Sequence, residues 1–177
     1  MPYTLCLWDP SRPGTLPTSH READTICERL SAVSDRPTAQ MIALVSALVT
    51  VAETRPTEEQ ARVGLEAYWG ADPRVSLRAN ETAVFRLRIP SDDCFAQIAA
   101  VVSAGAKLGL VVYDDENGMC FLPDGTIFPE SMREGWAFDL EELRAGPPDP
   151  HAPDGRTWLQ RLAGELFDAL GQGNRRS

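Results

Sequence analysis

The amino-acid sequence predicts an α+β domain: an antiparallel sheet of about three to five strands with helices packed mainly on one face, a ferredoxin-like arrangement being one version of it. Three observations carry this expectation. Residues 108–128 read L-G-L-V-V-Y-D-D-E-N-G-M-C-F-L-P-D-G-T-I-F, where Val111, Val112 and Tyr113 are β-formers, residues 119–122 form a second apolar run, and Asn117-Gly118 between them suits a tight hairpin turn. Residues 82–89, T-A-V-F-R-L-R-I, alternate apolar side chains with Arg86 and Arg88, the period of a half-buried strand. Segments of helical spacing separate these strands. The resulting order of strand, helix, helix, strand, helix, hairpin, helix lets neighbouring strands pair antiparallel.

Taken in order, residues 3–8 (Y-T-L-C-L-W) read as a strand closed by Asp9-Pro10, and S-R-P-G-T-L-P after it is a loop. A first helix starts at Thr18 or Ser19, either of which can cap it. Glu22 follows Ser19 by the spacing of a capping box, and Ala23, Ile26, Leu30 and Val33 recur one turn apart. A second helix, from after Asp35-Arg36-Pro37 to about Thr54, is apolar on nearly all sides and is therefore expected between layers. Gly64, Gly70 and Pro73 interrupt residues 55–80, which read as a loop-rich excursion. Pro90 ends the strand at 82–89, and Ser91 caps a third helix whose first turn carries Asp92 and Asp93 and whose stripe is Phe95, Ile98, Val101 and Val102. Gly109 stops it. Beyond the hairpin, Pro123-Asp124-Gly125 is a second turn, 126–128 a short strand, and W-A-F-D-L-E-E-L around Trp136 a short helix. A Pro-rich connector then leads to a last helix, 157–170, with Trp158, Leu162, Leu166 and Leu170 on one side and a frayed tail at 171–177. The whole chain, residues 1–177, is expected to be a single domain.

Composition narrows the function classes. The formal charge is −9, and it is uneven: residues 1–90 hold ten Arg against eleven acidic residues, while residues 91–177 hold seven basic against fifteen acidic. A field of that sign repels phosphate backbones and anionic membranes and favours a cationic protein partner. Cys6, Cys27, Cys94 and Cys120 are dispersed, without a C-x-x-C pair, and read as buried free thiols of a cytoplasmic protein with no signal peptide. The longest stretch without charge, 37–52, is sixteen residues, of which 41–52 form the apolar part, short of the ~20 that span a bilayer.

Chemistry-bearing motifs are missing from the sequence. His20 and His151 stand apart from any nucleophile-elbow pattern, and no Cys/His cluster has zinc spacing. Aligning Gly118 with the glycine of a calcium loop places Tyr113 and Asp124 at end positions that need Asp and Glu. The pairs Asp92-Asp93 and Glu58-Glu59 sit at helix starts, where capping explains them. G-Q-G-N-R-R near the C-terminus lacks a preceding strand and a following helix, so it is no phosphate cradle. The expectation is a binding protein with no enzymatic activity, cofactor or metal. Its candidate partner-binding residues are Asp114, Asp115 and Glu116 at the hairpin tip, then Asp139, Glu141 and Glu142, and Trp69 as an exposed aromatic.

The opening strand Y-x-L-x-L-W-D, the Pro-rich loop, the helix E-A-x-x-x-x-E-R-L, and the later G-L-x-V-Y-D followed by F-L-P-D-G resemble a group of small bacterial proteins. Some of these look like immunity proteins encoded beside polymorphic toxins of type VI secretion or contact-dependent inhibition systems. The resemblance covers the first 128 residues, rests on a strand and turns, and carries over no catalytic residue. It implies a protein that neutralises a cognate toxin, and a basic toxin acting on nucleic acid or nucleotides would fit the acidic charge. A small enzyme or ligand-binding domain is the alternative, and a structural or adaptor subunit a second one.

Overall fold

The computed structural model describes residues 3–54, 69, 71–89 and 95–145. The expected cap at Ser91, the helix at 157–170, the tail, Cys94, His151 and Trp158 lie outside the described residues. Five strands form one sheet: β1 (Tyr3–Trp8), β2 (Phe85–Ile89), β3 (Val111–Asp114), β4 (Met119–Phe121) and β5 (Ile127–Phe128). Their order across the sheet is β2-β1-β3-β4-β5, and every neighbouring pair is antiparallel. The helices are α1 (His20–Ser31), α2 (Ala39–Thr54), α3 (Pro73–Arg78), α4 (Phe95–Lys107) and α5 (Arg133–Ala145), the last entered through a 3-10 turn at Glu130–Met132. This is the α+β architecture expected from the sequence.

Register explains which side chains build which layer. Because β2 and β3 flank β1 and both run antiparallel to it, they are parallel to each other and are joined through α4. That is one split β-α-β unit of the ferredoxin-like kind. A second does not form among the described strands, since β1 and β2 are direct antiparallel neighbours. Leu5, Leu7, Phe85, Leu87, Ile89, Val112 and Phe121 point to one face, where they pack with Met41, Leu44 and Leu48 of α2, Ile98 and Val101 of α4, and Trp136 of α5. Cys6, Trp8, Val111, Tyr113 and Cys120 point to the other face, which α1 covers with Ala23, Ile26, Cys27 and Leu30. The described helices thus gather mainly on one face, with α1 alone among them opposite. Covering both faces makes β3 and β4 buried at every position, which is why they read as unbroken apolar runs.

Close packing at two points fixes the larger core. A Cβ on Gly105 of α4 would sit 2.7 Å from Cγ2 of Val112, so only glycine lets this helix approach β3 so closely. The Trp136 ring lies 4.6 Å from the Phe121 ring and 5.0 Å from the Phe95 ring, centroid to centroid, tying α5 to β4 and α4. On the opposite side of the molecule, Trp8 Nε1 donates to the carbonyl of Thr15 at 2.8 Å and pins the Pro-rich loop over the end of β1.

Several elements differ from expectation, each for a local reason. Ser19 caps α1 by accepting from the Glu22 amide at 3.2 Å, yet the Glu22 carboxylate reaches back to the amide and hydroxyl of Thr18, one residue earlier than a capping box requires. The helix ends at Ser31, and Val33 is exposed instead of extending its stripe. Strand β2 begins at Phe85 because Thr82 pairs with Ser34 in an isolated bridge that ties the α1–α2 connection to the approach of β2. Inside the expected loop excursion, Asp72 caps α3 by accepting from the Arg74 amide, and Pro73 takes the first helical position. The helix around Trp136 is longer than expected, at 13 residues. No described helix is long and apolar enough to cross a membrane.

Candidate functional site

Alternation along β3 decides the fate of the acidic hairpin. Val112 and Asp114 share the face of the larger core, Tyr113 faces α1, and Asp114 stands opposite Leu5 of β1 and Met119 of β4. Asp114 is therefore interior, 2 % exposed. Its Oδ1 accepts from the amides of Glu116 and Asn117, both at 3.1 Å, while its Oδ2 accepts from Asn117 Nδ2 at 3.0 Å and from the Tyr3 hydroxyl. Asn117 Nδ2 also donates to the Tyr3 oxygen, closing a three-residue ring across two strands. This corrects the expectation that Asp114 faces a partner: its carboxylate is occupied by the turn it organises.

The same network sets the shape of the turn. Strand pairing ends at Asp114 opposite Met119, so the loop is four residues long and not the two-residue Asn-Gly turn the sequence indicates. Inside this loop the Asp114 side chain captures the amides of Glu116 and Asn117. Gly118 takes a left-handed conformation, at φ 62°. Asp115 and Glu116 are left on the outside of this loop, exposed and held on a braced backbone.

Asp115 lies on the α1 side of the sheet, where its charge acts on Tyr113, Cys6 and Cys27. The Tyr113 hydroxyl donates to Asp24 Oδ1 of α1 at 3.4 Å. Burial, then the nearby charges of Asp24 and Asp115, push the phenol proton well above its ordinary range. Asp24 therefore joins Asp115 beside Tyr113, with Glu116 following Asp115 on the exposed loop, and it is a residue that sequence reasoning missed. Its signal was faint: Asp24 follows Ala23 and precedes Ile26 on the α1 stripe, which places it beside the buried face without saying which strand it meets.

The remaining candidates separate. Asp139, Glu141 and Glu142 are exposed on α5, a helix that packs on the opposite face of the sheet from α1, so they form an acidic surface apart from the hairpin tip. Phe138 beside them is 61 % exposed. Trp69 is fully buried in the larger core, which corrects its expected exposure: its ring fills space between layers and is closed to a partner. His20 is half-buried at the first position of α1. Among the described residues no three His, Cys, Asp or Glu side chains are gathered to hold a metal ion. Two surface grooves are shallow: one runs between Arg36, Ile42, Arg78 and Glu81, and the other between Asp9, Leu16, Leu122 and Asp124. Neither is lined by a histidine or a cysteine.

Comparison of the chain with protein-family models, with curated proteins and with solved structures finds no match in any of the three.

Proposed function

We propose that this protein is an immunity protein: a cytoplasmic binding protein, without catalysis of its own, that neutralises a cognate bacterial toxin by occluding the toxin's basic active site. The observation that carries the reading is the braced acidic rim formed by Asp24, Asp115 and Glu116. A carboxylate cluster on a mobile loop loses ordering entropy on binding. Here the Tyr3–Asp114–Asn117 ring holds the loop in advance, which lowers that cost. Toxins that act on nucleic acid or nucleotides carry cationic clefts, and a fixed acidic rim complements such a cleft in charge, raising association rate and specificity together. Asp139, Glu141 and Glu142 supply a second acidic surface on α5 for a partner that wraps the domain.

The test is purification of the tagged protein from its native cells at low salt, with identification of stoichiometric companions by mass spectrometry. A basic protein encoded beside it, toxic when expressed alone and harmless when co-expressed, is the expected companion. Expression of such a neighbour without stoichiometric recovery would overturn the reading and direct attention to a small-molecule ligand.

A further inference from the structure

A groove opens at the end of the sheet opposite the acidic hairpin. Three segments border it where they meet the strands: Asp9 and Pro10 after β1, Gly109 before β3, and Leu122, Pro123 and Asp124 after β4. Leu16 of the Pro-rich loop completes the wall. The volume is about 390 Å³, near the lower end of the roughly 300–1,000 Å³ of sites that take small ligands. That is room for a long side chain and not for a helix.

Both walls are set before anything binds. Thr15 and Pro17 are buried, and the Thr15 carbonyl accepts from Trp8 Nε1 at 2.8 Å. Leu16 between them is held outward, 53 % exposed, on a backbone anchored to either side. Across the groove the Leu122 amide donates to the Thr126 carbonyl at 2.8 Å and the Gly125 amide to the Leu122 carbonyl at 3.0 Å, closing the turn that carries Pro123 and Asp124. Gly109 takes φ 74°, and its missing side chain leaves that side of the groove open.

Charge decides what fits. Asp9 and Asp124 line the groove, and no Lys or Arg among the described residues does. Each carboxylate is oriented by one loop amide on its Oδ1, from Ser11 at 2.8 Å and from Thr126 at 2.9 Å. The Thr126 amide also holds the Asp124 carboxyl below its ordinary range, so it is charged at neutral pH. A cation complements these two acids, and the hydrocarbon of Leu16, Leu122 and the two prolines selects which cation. An ammonium group is compact and strongly hydrated. Guanidinium is planar and weakly hydrated, bonds a carboxylate through two parallel N–H groups, and sits on a stem that covers apolar surface.

We propose that this groove is a docking site for an arginine side chain on an apolar segment of a protein partner, the stem against Leu16 and Leu122 and the guanidinium directed to Asp9 and Asp124. The site lies at the far end of the strands from Asp115 and Glu116 and does not depend on the immunity reading.

The test is an amide NMR titration of the full chain with the capped peptide Gly-Leu-Arg-Leu-Gly. Saturable shifts are expected at Ser11, Leu16, Gly109, Leu122 and Gly125, with Glu116 and Gly118 unmoved. Citrulline in place of the arginine keeps the shape and removes the charge, and should weaken binding roughly tenfold or more. Lysine should weaken it several-fold. Asp9→Asn with Asp124→Asn keeps the Oδ1 acceptors that the loops use and should match the citrulline loss, while Leu16→Ser should cost several-fold. The citrulline comparison uses the native chain and decides the matter whatever the variants do. Absence of saturable shifts, shifts confined to Asp115 and Glu116, or equal binding of the citrulline peptide or of Gly-Leu-Glu-Leu-Gly would overturn the proposal.

Discussion

Removing the Asp114 carboxylate is expected to cost stability and not binding charge. Asp114→Ala deletes four accepted hydrogen bonds: two from loop amides, one from Asn117 Nδ2 and one from the Tyr3 hydroxyl. Hydrogen bonds to a charged group contribute about 1.5–3 kcal/mol each where they are buried, and about 1 kcal/mol or less where water replaces the lost partner. The loop amides and Asn117 sit beside solvent, so their share is small. The half-buried Tyr3 hydroxyl loses Asp114 as its acceptor, and a methyl group replaces a carboxylate at a fully enclosed site. A total near 3 kcal/mol follows, equivalent to a fall in Tm of roughly 6–12 °C for a domain of this size. Thermal and urea unfolding followed by circular dichroism measure it. Asp115→Ala, one residue away and exposed, is the control and should stay within about 0.5 kcal/mol. An Asp114→Ala cost below about 1 kcal/mol, or one equal to that of Asp115→Ala, would refute the bracing role.

Other consequences are as direct. Gly105→Ala forces a Cβ to within 2.7 Å of Val112 Cγ2, and because β-branched Val112 has no room to turn aside, urea unfolding should show a loss of about 1–3 kcal/mol that Val112→Ala partly relieves. Trp136→Ala empties the site between Phe95 and Phe121 and should cost about 3–5 kcal/mol by the same assay. Burial, and next to it the charge of Cys27, push the Cys120 thiol up to about 12 from an ordinary value near 9, and burial raises the Tyr113 phenol as well. Both protons are held more tightly in the folded chain than in the unfolded one. The stability they contribute is full below the unfolded thiol value and is lost as the pH rises from about 9 toward 12. Thermal melts across that window should fall more steeply for the native chain than for Cys120→Ala.

Period and punctuation made most of the fold legible. The Phe85–Ile89 alternation, the α1 stripe and the two apolar arms of the hairpin each stand out because burial on one side of an element leaves a regular trace. The candidate site was half legible. Asp115 and Glu116 are where a turn should expose them, but Asp114 carries the same charge and lies inside. Counting by twos from Val112 places Asp114 on the Val112 face, yet a strand buried on both faces gives no sequence contrast between inward and outward positions. Only the partners on β1 and in the loop, Tyr3 and Asn117, decide the matter, and their approach depends on a pairing between residues 111 positions apart. Trp69 was misread for a related reason. Glycine and proline around it signal irregular, exposed backbone, but Trp69 itself is helical and its ring lies in the core.

The account turns on the acidic rim acting as a binding surface. Its most direct measurement is the affinity of the purified protein for the basic partner proposed above between low and high salt, for the native chain and for Asp24→Lys with Asp115→Lys and Glu116→Lys. The account predicts that the variant unfolds like the native protein, binds at least tenfold more weakly at low salt, which corresponds to about 1.4 kcal/mol, and shows a shallower dependence on salt. Native-like affinity and an unchanged salt slope in a folded variant would contradict it.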